Sequence, residues 1–205
     1  VRAKNTNLVQ NKSLHNYCPY MKMKYIFLIL TVFISISSIA QKYPPIKGVE
    51  GLLIIGKIDK PEDRYAIEVN TTKFLAQFGM KVLPSLNFSR VGSSVEDLSS
   101  DSISAVIKAK GVKGYLLISV RGFDRTFKPR EHFPQTLEEA LDEGHLYPVF
   151  QEDISSITFE FLYYEEGKFV GYDITKLKGT STRAQVFEKL QKKLSKLVPK
   201  WTEPR

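Results

Sequence analysis

The chain has 205 residues, with 30 Lys and Arg against 22 Asp and Glu, but Arg2, Lys4, Lys12, Lys22 and Lys24 all lie in residues 1–40, which hold no acidic residue. The remaining 165 residues carry a net charge of only +3, which removes most of the case for a nucleic-acid partner. The only cysteine, Cys18, lies in the same early stretch; the rest therefore has no disulfide, no thiol nucleophile and no cysteine-based metal site, and must be held by an apolar core.

Residues 1–20 have no apolar periodicity. They are expected to be an upstream extension from a start placed too early, with Met21 or Met23 as initiator. Residues 21–40 have the three parts of a secretory signal: Lys22 and Lys24, the apolar run Ile26–Ile34, and Ser38 and Ala40 in small-x-small order. Cleavage is expected between Ala40 and Gln41. The competing reading is an uncleaved anchor through residues 25–40, but a bilayer span takes about 20 apolar residues. No cysteine follows the cut, so a lipid anchor is not expected.

A tether (41–50) leads into GLLIIGKI, a continuous apolar run that predicts a buried strand over 51–58. Asp59, Pro61 and Glu62 open a helix, with Asp59 as N-cap. Its Ile67, Thr71, Phe74, Leu75 and Phe78 share a face, and Gly79 stops it. MKVLPSLNF (80–88) reads as a strand near an edge, because Pro84 cannot donate to a ladder. Asp101 or a neighbouring serine caps a second helix that ends at Gly111, and GYLLISVRGF (114–123) is apolar enough for a central strand. SITFEFLYYEE and KFVGYDITKL alternate as strands on either side of Glu166-Gly167, a hairpin with Ile157, Phe159 and Phe161 on one face. The last helix starts near Thr182, with Gln185 completing a capping box. It turns Phe187, Leu190, Leu194 and Leu197 inward and ends at Pro199.

The fold class is therefore α/β (α+β): a single domain over 51–200 with a tail at 201–205. It has a mixed sheet in the order β-α-β-α-β-(insert)-β-β-α, with parallel strands first and an antiparallel hairpin after. The order is similar to that of small exported α/β domains of bacterial envelope proteins: the curli secretion channel subunit, the penicillin-binding-protein activator lipoproteins, and the amino-terminal domain of the Tol propeller protein. That resemblance covers roughly residues 50–198 and rests on export and strand order. It implies a non-catalytic binding or assembly role.

The stretch 121–153 exceeds what a connection needs, since most are about 4–6 residues. Its basic-aromatic part holds Arg121, Arg125, Lys128, Arg130, Phe123, Phe127, His132 and Phe133; its acidic part is a short helix opened by a Thr136–Glu139 capping box. One reading is an anion-binding flap, with Arg121, Arg125, Arg130 and His132 as ligand-binding residues, since guanidinium forks suit carboxylates and phosphates. The other is a solvated cover whose aromatics pack on the sheet and whose arginines pair with Glu138, Glu139, Asp142 and Glu143.

The remaining motifs carry no chemistry. Gly51, Gly56 and Lys57 match a phosphate-loop spacing, but Ile58 stands where Ser or Thr is needed and the segment is itself a strand. His132 and His145 lack a third ligand, there is no G-x-S-x-G elbow, and Glu165–Glu166 sit at a hairpin tip. No catalytic residue, metal site or cofactor is expected. Lys189, Lys192, Lys193, Lys196 and Lys200 face away from the last helix's apolar stripe, either as its wet side or as a contact for anionic lipid or polymer. The expectation is an exported, periplasmic or extracellular accessory protein that contacts another envelope protein, without nucleic acid or a stable membrane span. The alternative is an enzyme or passive binder that uses the 121–153 insert on an anionic ligand.

Overall fold

A computed structural model describes residues 44–46, 48–89, 92–124, 130–144 and 146–203. The expected signal segment with its Ala40–Gln41 cut, and residues 1–20, lie outside the described residues. Five strands, β1 (Leu52–Lys57), β2 (Val82–Pro84), β3 (Gly114–Phe123), β4 (Ser156–Glu165) and β5 (Lys168–Lys178), form one sheet in the order β2-β1-β3-β4-β5. The first three are parallel, and β4 and β5 are antiparallel to their neighbours. The single mixed α/β domain is thus as read from the sequence.

Helices cover both faces. Even positions of β1 and β3, such as Leu52, Ile54, Leu116 and Ile118, pack with Phe159, Phe161 and two long helices, α1 (Pro61–Ala76) and α4 (Arg183–Thr202). Odd positions, Leu53, Ile55, Tyr115 and Leu117, pack with Leu162 and Tyr164 under a thinner cover. That cover consists of the 3-10 turn Glu96–Ser99, α2 (Asp101–Ala109) and α3 (Leu137–Asp142). Strands buried on both faces read as unbroken apolar runs, which is why β1 and β3 do.

Local chemistry sets the boundaries. The hairpin turns on Glu166 (φ 50°) and Gly167 (φ 81°), two left-handed residues as its tight turn requires. β2 is the edge strand that Pro84 predicts, but it stops there, and Ser85–Asn87 turns into 3-10 geometry. The cause is Glu68 on α1, fully buried, whose carboxylate accepts from Ser85 Oγ (2.7 Å) and Leu86 N (3.0 Å). It accepts also from Gly56 N (2.9 Å) and Arg64 Nε (3.0 Å). Lys60, not Asp59, occupies the N-cap of α1, and the Asp59 N–H reaches Tyr147 O (3.4 Å) instead. Phe78 lies beyond the end of α1 and is 44% exposed.

At the other end of the chain, α4 continues through Pro199, which was expected to end it. Its buried stripe is Val186, Leu190, Leu194, Val198 and Trp201, with Phe187 and Leu197 only partly covered. Trp201, expected in a tail, is fully buried. Its indole donates to Asp173 Oδ2 (2.9 Å), and its ring lies 5.3 Å from that of Phe161. Its carbonyl accepts from Ile46 N (3.0 Å), so Ile46, expected in a tether, is a core residue too. Burial of a large aromatic outweighs the one backbone hydrogen bond that proline removes. Among the described residues no helix is long and apolar enough to cross a membrane.

Trp201→Ala is expected to lower the urea midpoint by an amount equivalent to about 3–5 kcal/mol, the cost of emptying a buried aromatic site. An unchanged midpoint would mean that the last turn of α4 stands outside the cooperative core.

Candidate functional site

Two of the arginines singled out in the sequence, Arg121 and Arg130, meet at the carboxyl ends of β1 and β3, on the face covered by α3. Between Val120 and Gly122 the β3–β4 register shifts, leaving Arg121 as the extra residue of a bulge. Bulges re-aim side chains in this way. Arg121 Nε comes to 3.7 Å from Glu160 Oε2 on β4, too far for a hydrogen bond. Arg130 reaches the same carboxylate from the insert: Nε lies 2.9 and 3.0 Å from its two oxygens, and Nη2 lies 2.8 Å from Oε2. Its outer edge pairs with Glu143, which follows α3, through Nη1 to Oε1 and Nη2 to Oε2 (2.6 Å). Lys57, almost fully buried at the end of β1, donates to Ala140 O of α3 (2.7 Å).

Burial lowers the Lys57 pKa, and the nearby Glu143 and Glu96 carboxylates partly oppose that shift. Burial pushes the Glu143 carboxyl up, but the Arg130 hydrogen bonds and the charges of Arg130, Lys57 and Arg121 outweigh it and hold it below the ordinary glutamate value. Three cations, Lys57, Arg121 and Arg130, thus gather around two carboxylates, Glu143 and Glu160. Arg130 is committed to Glu160 and Glu143, which is the pairing arrangement with one partner, Glu160, that was not foreseen. His132 is exposed on the insert. Arg125 and His145 lie outside the described residues. Phe133 packs on the sheet, its ring 4.3 Å from Tyr172 and 5.2 Å from Phe169.

The sequence reading missed a cleft on the same face, at the opposite end of β3. It has a volume of about 580 Å³ and lies between α2 and α3. Leu98, Ile107, Val112, Tyr115, Leu137 and Leu141 make its apolar lining, and Lys108, Lys113, Glu138 and Glu166 put both signs of charge on it. It exists because α2 and α3 are short, and α2 buries only Ile107. One wall, Thr136–Leu141, belongs to the long insert. Tyr115 is 6% exposed and lines the cleft. Burial pushes its phenol pKa up, so the hydroxyl stays protonated and able to donate. Its size is that of a binding site, and its lining joins an apolar floor to a polar and charged rim. Its walls come from segments far apart in the chain, a combination that no local pattern signals.

Two outcomes are expected for the charged cluster. Glu160→Leu removes the fully buried one of the two carboxylates paired with Arg130 and costs about 3–5 kcal/mol, while adding Arg130→Met recovers most of that loss. Urea unfolding of the single and double variants measures both. The Glu143 contribution follows from the sign of its shift. Its folded pKa lies below its unfolded one, so its stabilisation is complete above the ordinary value of 4.5 and fades as pH falls through the folded value. The stability difference between the wild type and Glu143→Gln is therefore expected to be flat near neutral pH and to shrink in acid; a difference that grows in acid would reverse the assignment.

No family model matches the chain, and no curated protein matches it. Among solved structures it is similar to PelC from Paraburkholderia phytofirmans, a dodecamer. The identity is 10% and the TM-score 0.46, over 80% of this chain and 96% of that one. It is also similar to lipoprotein GNA1162 from Neisseria meningitidis, at 10% identity and TM-score 0.41, over 73% of this chain and 98% of that one.

Proposed function

We propose that the protein is an exported, non-catalytic accessory protein of the bacterial cell envelope, and that it works by holding a segment of another envelope protein in the cleft between α2 and α3. The cleft carries this reading. Its volume of about 580 Å³ suits a few side chains, its floor is apolar, and the Tyr115 side chain lines it. The charges of both signs lining it select a partner segment that carries both. The signal-like segment 21–40 supports export, and the strand order, similar to that of small exported envelope domains, agrees with a binding role. The anion-binding alternative through Arg121, Arg125, Arg130 and His132 would require Arg130 to leave both Glu160 and Glu143.

Ser104 lines the cleft from α2 and is only partly buried, so it accepts a photo-crosslinking side chain without disturbing the core. Installed there in the native host, the probe is expected to capture one envelope protein reproducibly, and Ser104→Trp is expected to prevent association by filling the space. The same probe at exposed Lys73 on α1 should capture nothing reproducible. Capture that is equal at both positions, or absent at Ser104, would reject the cleft as the contact.

A further inference from the structure

A second concave surface lies on the opposite helical layer. It runs along the outer edge of β5, where α4 crosses it, and has a volume of about 330 Å³. Six lysines line it, Lys176 and Lys178 from the strand and Lys189, Lys192, Lys193 and Lys196 from the helix, with Leu177 as the other lining residue. No carboxylate lines it. Glu188 on the same helix pairs with Lys192 (2.6 Å) and also interacts with Lys189. Lys189 is held in place by the carbonyls of Lys178 (2.7 Å) and Gly179, and Lys176 by that of Asp124 (2.6 Å). Carbonyls orient these two ammonium groups without cancelling their charge.

Lysines on an edge strand guard it against pairing with another chain. That accounts for Lys176 and Lys178. It does not account for the four lysines that α4 turns toward the same recess, which together concentrate positive potential there. At about 1.5 Å per residue, the helix row from Lys189 to Lys196 extends about 10 Å, long enough to meet several successive charges on one chain.

We infer that this groove is a binding site for an unbranched acidic polymer, whose carboxylates or phosphates pair with the lysine ammonium groups. Three features favour a polymer over other anionic partners. A bilayer is planar and is entered by exposed apolar side chains; this surface is concave, and the large exposed apolar residues, Tyr65, Phe78, Val106, Leu146 and Tyr147, do not line it. Single-stranded nucleic acid is held by aromatic stacking, and no aromatic residue lines the groove. Lysine is a compact point charge that does not impose the geometry of a bidentate fork, so the site reads charge spacing rather than group shape. The groove is separate from the cleft between α2 and α3, so either can fail without the other.

The test is fluorescence anisotropy of the purified protein with labelled oligomers of alginate (carboxylate), polyphosphate (phosphate) and single-stranded DNA, together with sedimentation on phosphatidylglycerol vesicles. Binding to alginate or polyphosphate is expected, weakening as salt is added; which of the two binds more tightly identifies the anion. Lys193→Glu with Lys196→Glu should weaken binding about tenfold or more. Lys73→Glu with Lys110→Glu, the same change in net charge placed outside both the groove and the cleft, should leave binding nearly unchanged. Thermal unfolding of both double variants should match the wild type, because all four side chains are exposed. Equal weakening by both pairs would reduce the effect to overall charge and overturn the site. Tighter binding to DNA or to vesicles than to either polymer, or no binding to any probe, would also overturn it.

Discussion

The carboxylate of Glu68 is the contact on which the parallel half of the fold depends. It lies fully buried between α1 and the sheet and accepts from β1, from the turn after β2 and from Arg64 on its own helix. Arg64 in turn reaches Ser93 O (2.9 Å) and Ser89 Oγ (3.2 Å) in the following loop. A carboxylate is tolerated at such depth only when its oxygens are occupied, and here the occupants are the groups that fix where β1 ends and where β2 stops. Gly56 belongs to the same arrangement: a Cβ there would come within 3.3 Å of both the Arg64 and Glu68 side chains. With those positions set, β2 remains a three-residue edge and the chain is free to cross to the other face.

That crossing gives the molecule two unequal sides. α1 and α4 cover one face with 16 and 20 residues and seal it with Trp201. α2 and α3 cover the other with nine and six. The sheet presents apolar side chains on both faces, so the short helices leave apolar surface that no element of the described chain fills, and this becomes the cleft. The same economy brings charged groups inward at the strand ends, where α3 is too short to provide an apolar lid: Arg130 pairs with Glu160, and Lys57 donates to the Ala140 carbonyl.

Much of the layout was legible because it is written in neighbouring residues. β3 runs from Gly114 to Phe123, the hairpin turns on Glu166-Gly167, and Thr136 and Glu139 form their reciprocal cap, all as the local pattern implies. What was missed depends on partners distant in sequence. Glu68 has the appearance of an ordinary exposed helix residue until Ser85 and Gly56 are placed beside it. Pro199 reads as a terminator unless Trp201 is known to reach Asp173 and Phe161. Among the cluster residues, Glu160 did leave a trace: a lone charge in the middle of an otherwise apolar strand, which calls for a buried counter-ion, although nothing nearby says that Arg130, thirty residues earlier, supplies it.

α3 connects the two ends of the thin face. Leu137 and Leu141 line the cleft, while the Ala140 carbonyl and Glu143 just beyond the helix hold Lys57 and Arg130. A helix of six residues is too short to bend between these tasks and moves as one body. Any occupant of the cleft that displaces α3 therefore also disturbs the ion pairs beyond it. By thermodynamic reciprocity, to whatever extent an occupant of the cleft changes the proton affinity of Glu143, neutralising Glu143 changes the affinity of that occupant by the same factor.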